Sequence, residues 1–381
     1  MSIDKSASTS RLVQLCAGYF GSYIVTGVLV KYFTQLREPK MSDMQFLFNN
    51  TMGGSLFAVG VVLLFGWIRL KSNQTVKWGP FRVPSEVKYI IPSGICTAIV
   101  IPTTTLMYTL PISVLVAMVI MRGSIIVISR LVDELQIRQG ILKKRVFREE
   151  NLAVVFALLA VGTNVVLLPL VDYLSAQNIP ADRWLGLKAG AGRGSFDFLG
   201  SVPAMTILST YLVAYSIRLY IMNFYKNTRA KGVPQDNKGF FAIEQLAASG
   251  TMLLAGVALF FGPSLFGWND FRVVAFGEAI RQPDLSAVLS GVPYGIVAFF
   301  SVFIFMFKGR TATFAGLVNR LTSLVAGTAA TLILHYAFGT KFPSAQDWIS
   351  LGFILVAVYF LTRAEERRTA ELAAAPAAAA A

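Results

Sequence analysis

Two arginines stand in stretches that are otherwise apolar. Arg122 lies in VIMRGS and Arg320 in LVNRLT, and a shift of 198 residues lays one on the other. A guanidinium presents a planar fork of donors that matches phosphate and carboxylate. In the middle of a bilayer each such group costs about 2.5–3.5 kcal/mol, even on the lenient insertion scale. The pair therefore costs roughly 5–7 kcal/mol unless it faces water, a partner or a ligand. The chemistry indicated is recognition of an anion.

Other candidates surround these two. Asn319 adjoins Arg320, and Thr313 lies about two turns before it. Lys31 is close to the end of the first apolar run, where it either reaches a site or snorkels to the interface. Glu244 is the one acid inside the apolar runs. It reads as a proton-coupling acid, a gate partner or a group solvated at the interface. Gln245 follows it and can hydrogen-bond a substrate. Asn49 and Asn50 either hold a ligand or tie helices together, with the tie favoured. Tyr211 and Tyr294 are weaker candidates for stacking, because 13 Tyr and 29 Phe make packing the ordinary role of an aromatic here. The only histidine, His335, leaves no multi-His metal site. Cys16 and Cys96 both lie in apolar runs and read as free thiols. No catalytic residue, metal or cofactor is implied. A membrane glycosyl- or acyltransferase would need a His–Asp or DxD-type cluster, and none is visible.

The elements that must position these residues are membrane-spanning helices. Of 381 residues, 55% are hydrophobic and only 14% charged, with a mean hydropathy of +0.61. A soluble domain carries roughly 25% charge. Ten apolar runs fit spans at 12–34, 45–68, 89–109, 111–132, 151–171, 199–222, 240–262, 286–307, 311–337 and 348–363. Spans three and four meet at Leu110-Pro111, which suits a tight corner with Pro in the first helical turn. Counted from the span ends, Arg122 lies roughly 16 Å deep and Arg320 roughly 14 Å deep. With the N-terminus inside, 23 Lys/Arg fall on the cytoplasmic face and eight on the other, so both termini are expected in the cytoplasm.

The 198-residue shift also lays the start of span five on that of span ten, with Glu149 on Asp347. Five spans per half is odd, so the halves run in opposite directions. The expected fold class is an all-α membrane protein of ten transmembrane helices in two inverted five-helix repeats. Its parts are an N-terminus (1–11), a first repeat (12–171), an outer connecting loop (172–198), a second repeat (199–363) and a disordered tail (364–381). Residues 263–285 suit a short amphipathic surface helix. The polar start and the long first span are not those of a cleavable signal peptide. The Ala/Pro tail and absent targeting signal favour a bacterial inner membrane over a Golgi-type one.

Four stretches resemble the drug/metabolite transporter superfamily, within it the nucleotide-sugar transporters and triose-phosphate translocators. SYIVTGVLVKYFTQ (22–35) is similar to their first span, closed by a Lys-Tyr pair, here Lys31-Tyr32. MRGSIIV (121–127) is similar to their fourth. GLVNR (316–320) resembles the GALNK motif of the GDP-mannose transporters, preceded here by Thr311 and Thr313. PSAQDWISLGFILVAVYFL (343–361) is like the closing span of the superfamily. The resemblance implies that Asn319 and Arg320 contact a phosphate or sugar-phosphate group, with Arg122 facing them. It departs at FAIEQLAA (241–248), where the GDP-mannose group carries FYNN to read its base.

The expected activity is alternating-access exchange of an anionic, phosphorylated metabolite such as a nucleotide sugar or sugar phosphate. Export of amino acids or drugs, as in the EamA-like group, and a receptor or scaffold role are the alternatives. The partners named by this reading are a small anionic substrate and membrane lipids, with a homodimer left open. Nucleic acid is not among them. The net charge of +14 divides into +13 on cytoplasmic segments, −1 on outer ones and +2 within the spans.

Overall fold

Backbone polar groups in lipid must be satisfied within the segment, so apolar runs of this length become helices. The computed structural model describes residues 9–72, 74–142, 146–167, 170, 173, 174, 177, 198–229, 235–306 and 312–378; for 9, 10, 81, 164, 165, 312–317, 345, 369 and 372–378 the backbone alone is described. The helices in chain order are α1 (Thr9–Lys31), prolonged by a π-turn to Leu36, α2 (Asp43–Leu64), α3 (Val87–Thr109), α4 (Val114–Arg138) and α5 (Arg148–Val165). Then follow α6 (Val202–Asn227), α7 (Asn237–Phe266), α8 (Phe271–Arg281), α9 (Leu285–Phe305), α10 (Ala312–Phe338) and α11 (Ala345–Ala378). Among the described residues, nine of these are long and apolar enough to cross a bilayer, as befits a multi-pass integral membrane protein. Helix α5 has 18 described residues and opens with Arg-Glu-Glu.

Local chemistry sets the ends. Ser42 and Gln45 form a reciprocal capping box on α2. Ser113, Ser201, Asp236 and Asp284 cap α4, α6, α7 and α9 through their side-chain oxygens. Gly267 ends α7 in the left-handed conformation, φ 69°, which glycine adopts without a Cβ penalty. Helix α8 is the short helix expected within 263–285. One element carries no signal in the hydropathy pattern. Strands β1 (Thr75–Trp78) and β2 (Phe81–Pro84) pair as an antiparallel hairpin between α2 and α3, turning at Gly79 with φ 60°.

Three expectations change. Pro111 stands in the α3–α4 corner and not in the first turn of α4, which begins at Val114 under the Ser113 cap. Counted from there, Arg122 lies about 12 Å along its helix, and Arg320 about 12 Å along α10. Residues 364–378 are not a disordered tail but continue α11. Alanine has the highest helix propensity, and Arg367 and Arg368 pair with Glu149 and Glu150 at the start of α5. Most of the 172–198 connector lies outside the described residues.

Helices α3 and α4 are the most buried spans and α7 the least. Helix α3 packs on α6 and α7, α1 on α9 and α10, α2 on α9, and α5 on α11. The α2–α9 crossing has backbone against backbone. A Cβ on Gly53 would lie 1.8 Å from the Val288 carbonyl oxygen, and one on Gly291 2.0 Å from that of Asn50. Small residues permit this approach, which in membranes is a main source of helix association. At α3–α7 the same role falls to Gly94, whose Cβ would lie 2.6 Å from the Glu244 carbonyl oxygen.

Candidate anion-binding cavity

Mid-helix residues of α1, α3, α4, α6, α7 and α9 line a cavity. Arg122 lines it from α4 and is buried. Its Nη2 donates to the Tyr23 hydroxyl, and its guanidinium carbon stands 5.4 Å from the centre of the Tyr23 ring. Its Nε has no hydrogen-bond partner. Phenol oxygens and a ring face are neutral neighbours, so the charge is solvated but not cancelled. Among the described residues no carboxylate lies within ion-pair distance of it.

Tyrosines build the rest of the wall. Tyr19 and Tyr23, one turn apart on α1, meet edge to face at 5.0 Å. Tyr211 and Tyr215, one turn apart on α6, meet at a tilt of 46° at 5.4 Å, and Tyr294 closes the cavity from α9. Gln245 also lines it, with its Nε2 buried and unpartnered. Thr97, Thr104 and Ser301 add hydroxyls.

Arg218 is also in this wall, and it accounts for Glu244. Its Nε and Nη2 donate to the two Glu244 oxygens at 2.9 Å each, and Ser93 Oγ adds a third bond at 2.6 Å. Both partners are buried. Glu244 thus ties α7 to α6 and α3 and is buried, not solvated at an interface. The ion pair leaves Arg122 as the uncompensated cation of the cavity.

The other sequence candidates are distributed around it. Asn319 stands behind the wall, accepting from Tyr19 Oη at 3.2 Å and donating to Ser301 Oγ at 3.3 Å. Arg320 lines a second cavity with Arg130, Asp133, Glu150 and Asn223, and its Nε has no hydrogen-bond partner among the described residues. The two chambers are stacked. Arg122, Tyr215 and Ser301 line the first, and Ile126, Leu219 and Phe305, one turn further on the same helices, line the second. The arginines thus face adjoining chambers and do not share one. Lys31 is in neither: its Nζ donates to the Leu110 carbonyl at 2.6 Å and caps the end of α3. The side chain of Thr313 lies outside the described residues. Asn49 and Asn50 tie α2 to α9, through the Asp284 amide and Ser290 Oγ.

At the α9 end nearest Asn49, Asp284 gives a pH test. The Ser286 hydroxyl, the Ala287 amide and Arg37 at 2.9 Å hold its carboxyl below the ordinary aspartate value. A depressed folded-state value contributes stability above the unfolded value, near 3.9, and loses it as pH falls through the folded one. Thermal unfolding of wild type should therefore weaken relative to Asp284→Asn below about pH 4. At neutral pH Asp284→Ala should cost about 1 kcal/mol, the usual worth of such a cap.

Tyr19, Tyr23, Tyr215 and Arg218 were not found from sequence. The available signal was helical spacing: Tyr19 and Tyr23 lie four apart, as do Tyr211 and Tyr215, with Arg218 three further on, each set on one helix face.

No family model matches the chain, and no curated protein matches it. A solved chain described only as "Crystal structure of protein" aligns over 94% of this chain and 99% of its own. The TM-score is 0.46 and the identity 17%.

Proposed function

We propose that the protein is a secondary transporter that exchanges small anions, with Arg122 as the group that binds them. The observation carrying this reading is a buried guanidinium in a mid-helix cavity, with no carboxylate within ion-pair distance among the described residues. Such a charge is costly in a purely structural role, and an anion would offset it. The tyrosine walls and Gln245 suit a polar, ring-bearing or hydroxylated ligand. The four stretches that resemble the drug/metabolite transporters agree with this.

The fold we infer is two inverted repeats of five helices, with both termini cytoplasmic. Several paired features support it. The contacts of α3 with α6 and α7 mirror those of α9 with α1 and α2. Ser93 reaches Glu244 on α7 beside Gly94, as Ser290 reaches Asn50 on α2 beside Gly291. Lys31 caps the end of α3 through Leu110, and Lys226 caps the end of α9 through the Phe305 carbonyl at 3.0 Å. These matches favour an alternating mechanism, in which related halves rock about a central site.

The test is ligand-dependent thermal stabilisation of the purified protein with sugar phosphates, nucleotide sugars, amino acids and cationic drugs. A binder at 100 times its Kd adds about 2.7 kcal/mol to apparent stability. Stabilisation by phosphorylated anions, followed by their counterflow in proteoliposomes, is the expected result. Stabilisation by cationic drugs alone overturns it.

A further inference from the structure

The hairpin joining α2 to α3 is placed by two spanning helices at the surface of the bilayer, and its register sorts its side chains. Val76 pairs with Val83 and Lys77 with Arg82. Opposed residues share a face and alternate along the strand, so Val76, Trp78 and Val83 lie on one face and Lys77 and Arg82 on the other. Like charges directly opposite are destabilising, and a two-stranded hairpin alone is marginal in water. Something outside the chain must favour this arrangement.

The surroundings say what kind of thing. Residues 65–88 hold five cations, Arg69, Lys71, Lys77, Arg82 and Lys88, and one acid, Glu86. All five cations are exposed, while Glu86 is buried and faces Arg229 at 3.8 Å. Among the described residues none of the five has a carboxylate partner. Trp78 is 51% exposed beside them, and tryptophan favours the headgroup level of a bilayer.

We propose that the 75–84 hairpin is a binding site for anionic phospholipid headgroups, lying within the headgroup layer with the Trp78 face toward the acyl chains and Lys77 and Arg82, on the outer face, at the level of the lipid phosphates. The partner chemistry is a phosphodiester carrying net negative charge, attached to acyl chains. The headgroup supplies the counter-charge that the Lys77–Arg82 pair lacks, and the bilayer surface supplies the apolar support that a lone hairpin lacks. The inference stands independently of the transport reading.

The test uses the full chain in detergent, titrated with phosphatidylglycerol or phosphatidylcholine. Retained lipid is counted by native mass spectrometry and apparent melting temperature is followed in parallel. Phosphatidylglycerol should be retained and should stabilise more than phosphatidylcholine. In Lys77→Gln/Arg82→Gln, retention of phosphatidylglycerol should weaken about 30-fold, each surface cation contributing about a factor of five. Quenching of Trp78 by brominated phosphatidylglycerol, read as the difference from Trp78→Phe, should fall in the same double variant. Water-soluble glycerol phosphate should produce no shift. Equal retention of the two lipids, unchanged retention in the double variant, or an equal shift with glycerol phosphate overturns the proposal. Both substituted side chains are exposed, so the fold does not depend on them.

Discussion

Arg122→Gln is expected to abolish anion exchange in proteoliposomes while leaving the ligand-free protein as stable as wild type or more so. The two halves of this result have one cause. A buried, charge-assisted contact with a bound anion is worth about 2–5 kcal/mol when one partner is removed. Affinity should then fall roughly 30-fold to several thousand-fold. In the empty protein the same guanidinium has no carboxylate and an unpartnered Nε, so a neutral amide relieves a desolvation cost. Arg122→Lys keeps the charge but loses the fork, and should retain binding at reduced affinity. Exchange at the wild-type rate in Arg122→Gln would remove the role assigned to this residue. A collapse of its unliganded melting temperature would make Arg122 a structural group.

Glu244→Gln should show the reverse pattern, a large loss of stability that no ligand restores. Glu244 is fully buried, and both oxygens accept from Arg218. Removing its charge strands Arg218 inside the membrane, and breaking a buried pair in this way costs about 3–5 kcal/mol. The double variant Arg218→Met/Glu244→Leu removes both charges and should recover most of the melting temperature, since apolar replacements of such pairs are often neutral. If Glu244→Gln folds normally and loses transport alone, the acid belongs to the binding or coupling chemistry and not to the frame.

Helix positions were readable because a bilayer imposes one length and one composition on every span; of the ten spans expected, nine described helices are long and apolar enough to cross it. The span drawn at 240–262 falls within α7, and that drawn at 311–337 lies close to α10. Arg122 and Arg320 were visible for the same reason, as charges where charge is expensive. What lay beyond reach was partnership. Arg218 is near a span end by count, and only the packing of α6 on α3 brings it to Glu244. Lys31 reads equally as ligand group or interface anchor until the α3 corner is seen beneath it, at which point it becomes a helix cap. The hairpin was hidden because four-residue strands carry a weak pattern inside a basic loop.

The Arg218–Glu244 pair has an electrical consequence. By closing on itself it leaves the central chamber with one positive charge and no more. In an exchanger, each switch of access carries the occupied chamber from one side of the membrane potential to the other. An empty chamber then moves a full positive charge through the field, about 2.3 kcal/mol for every 100 mV, in addition to its unsolvated guanidinium. A chamber holding a monoanion moves none. On the proposed exchange, voltage thus opposes the empty return in one direction and is indifferent to a chamber holding a monoanion.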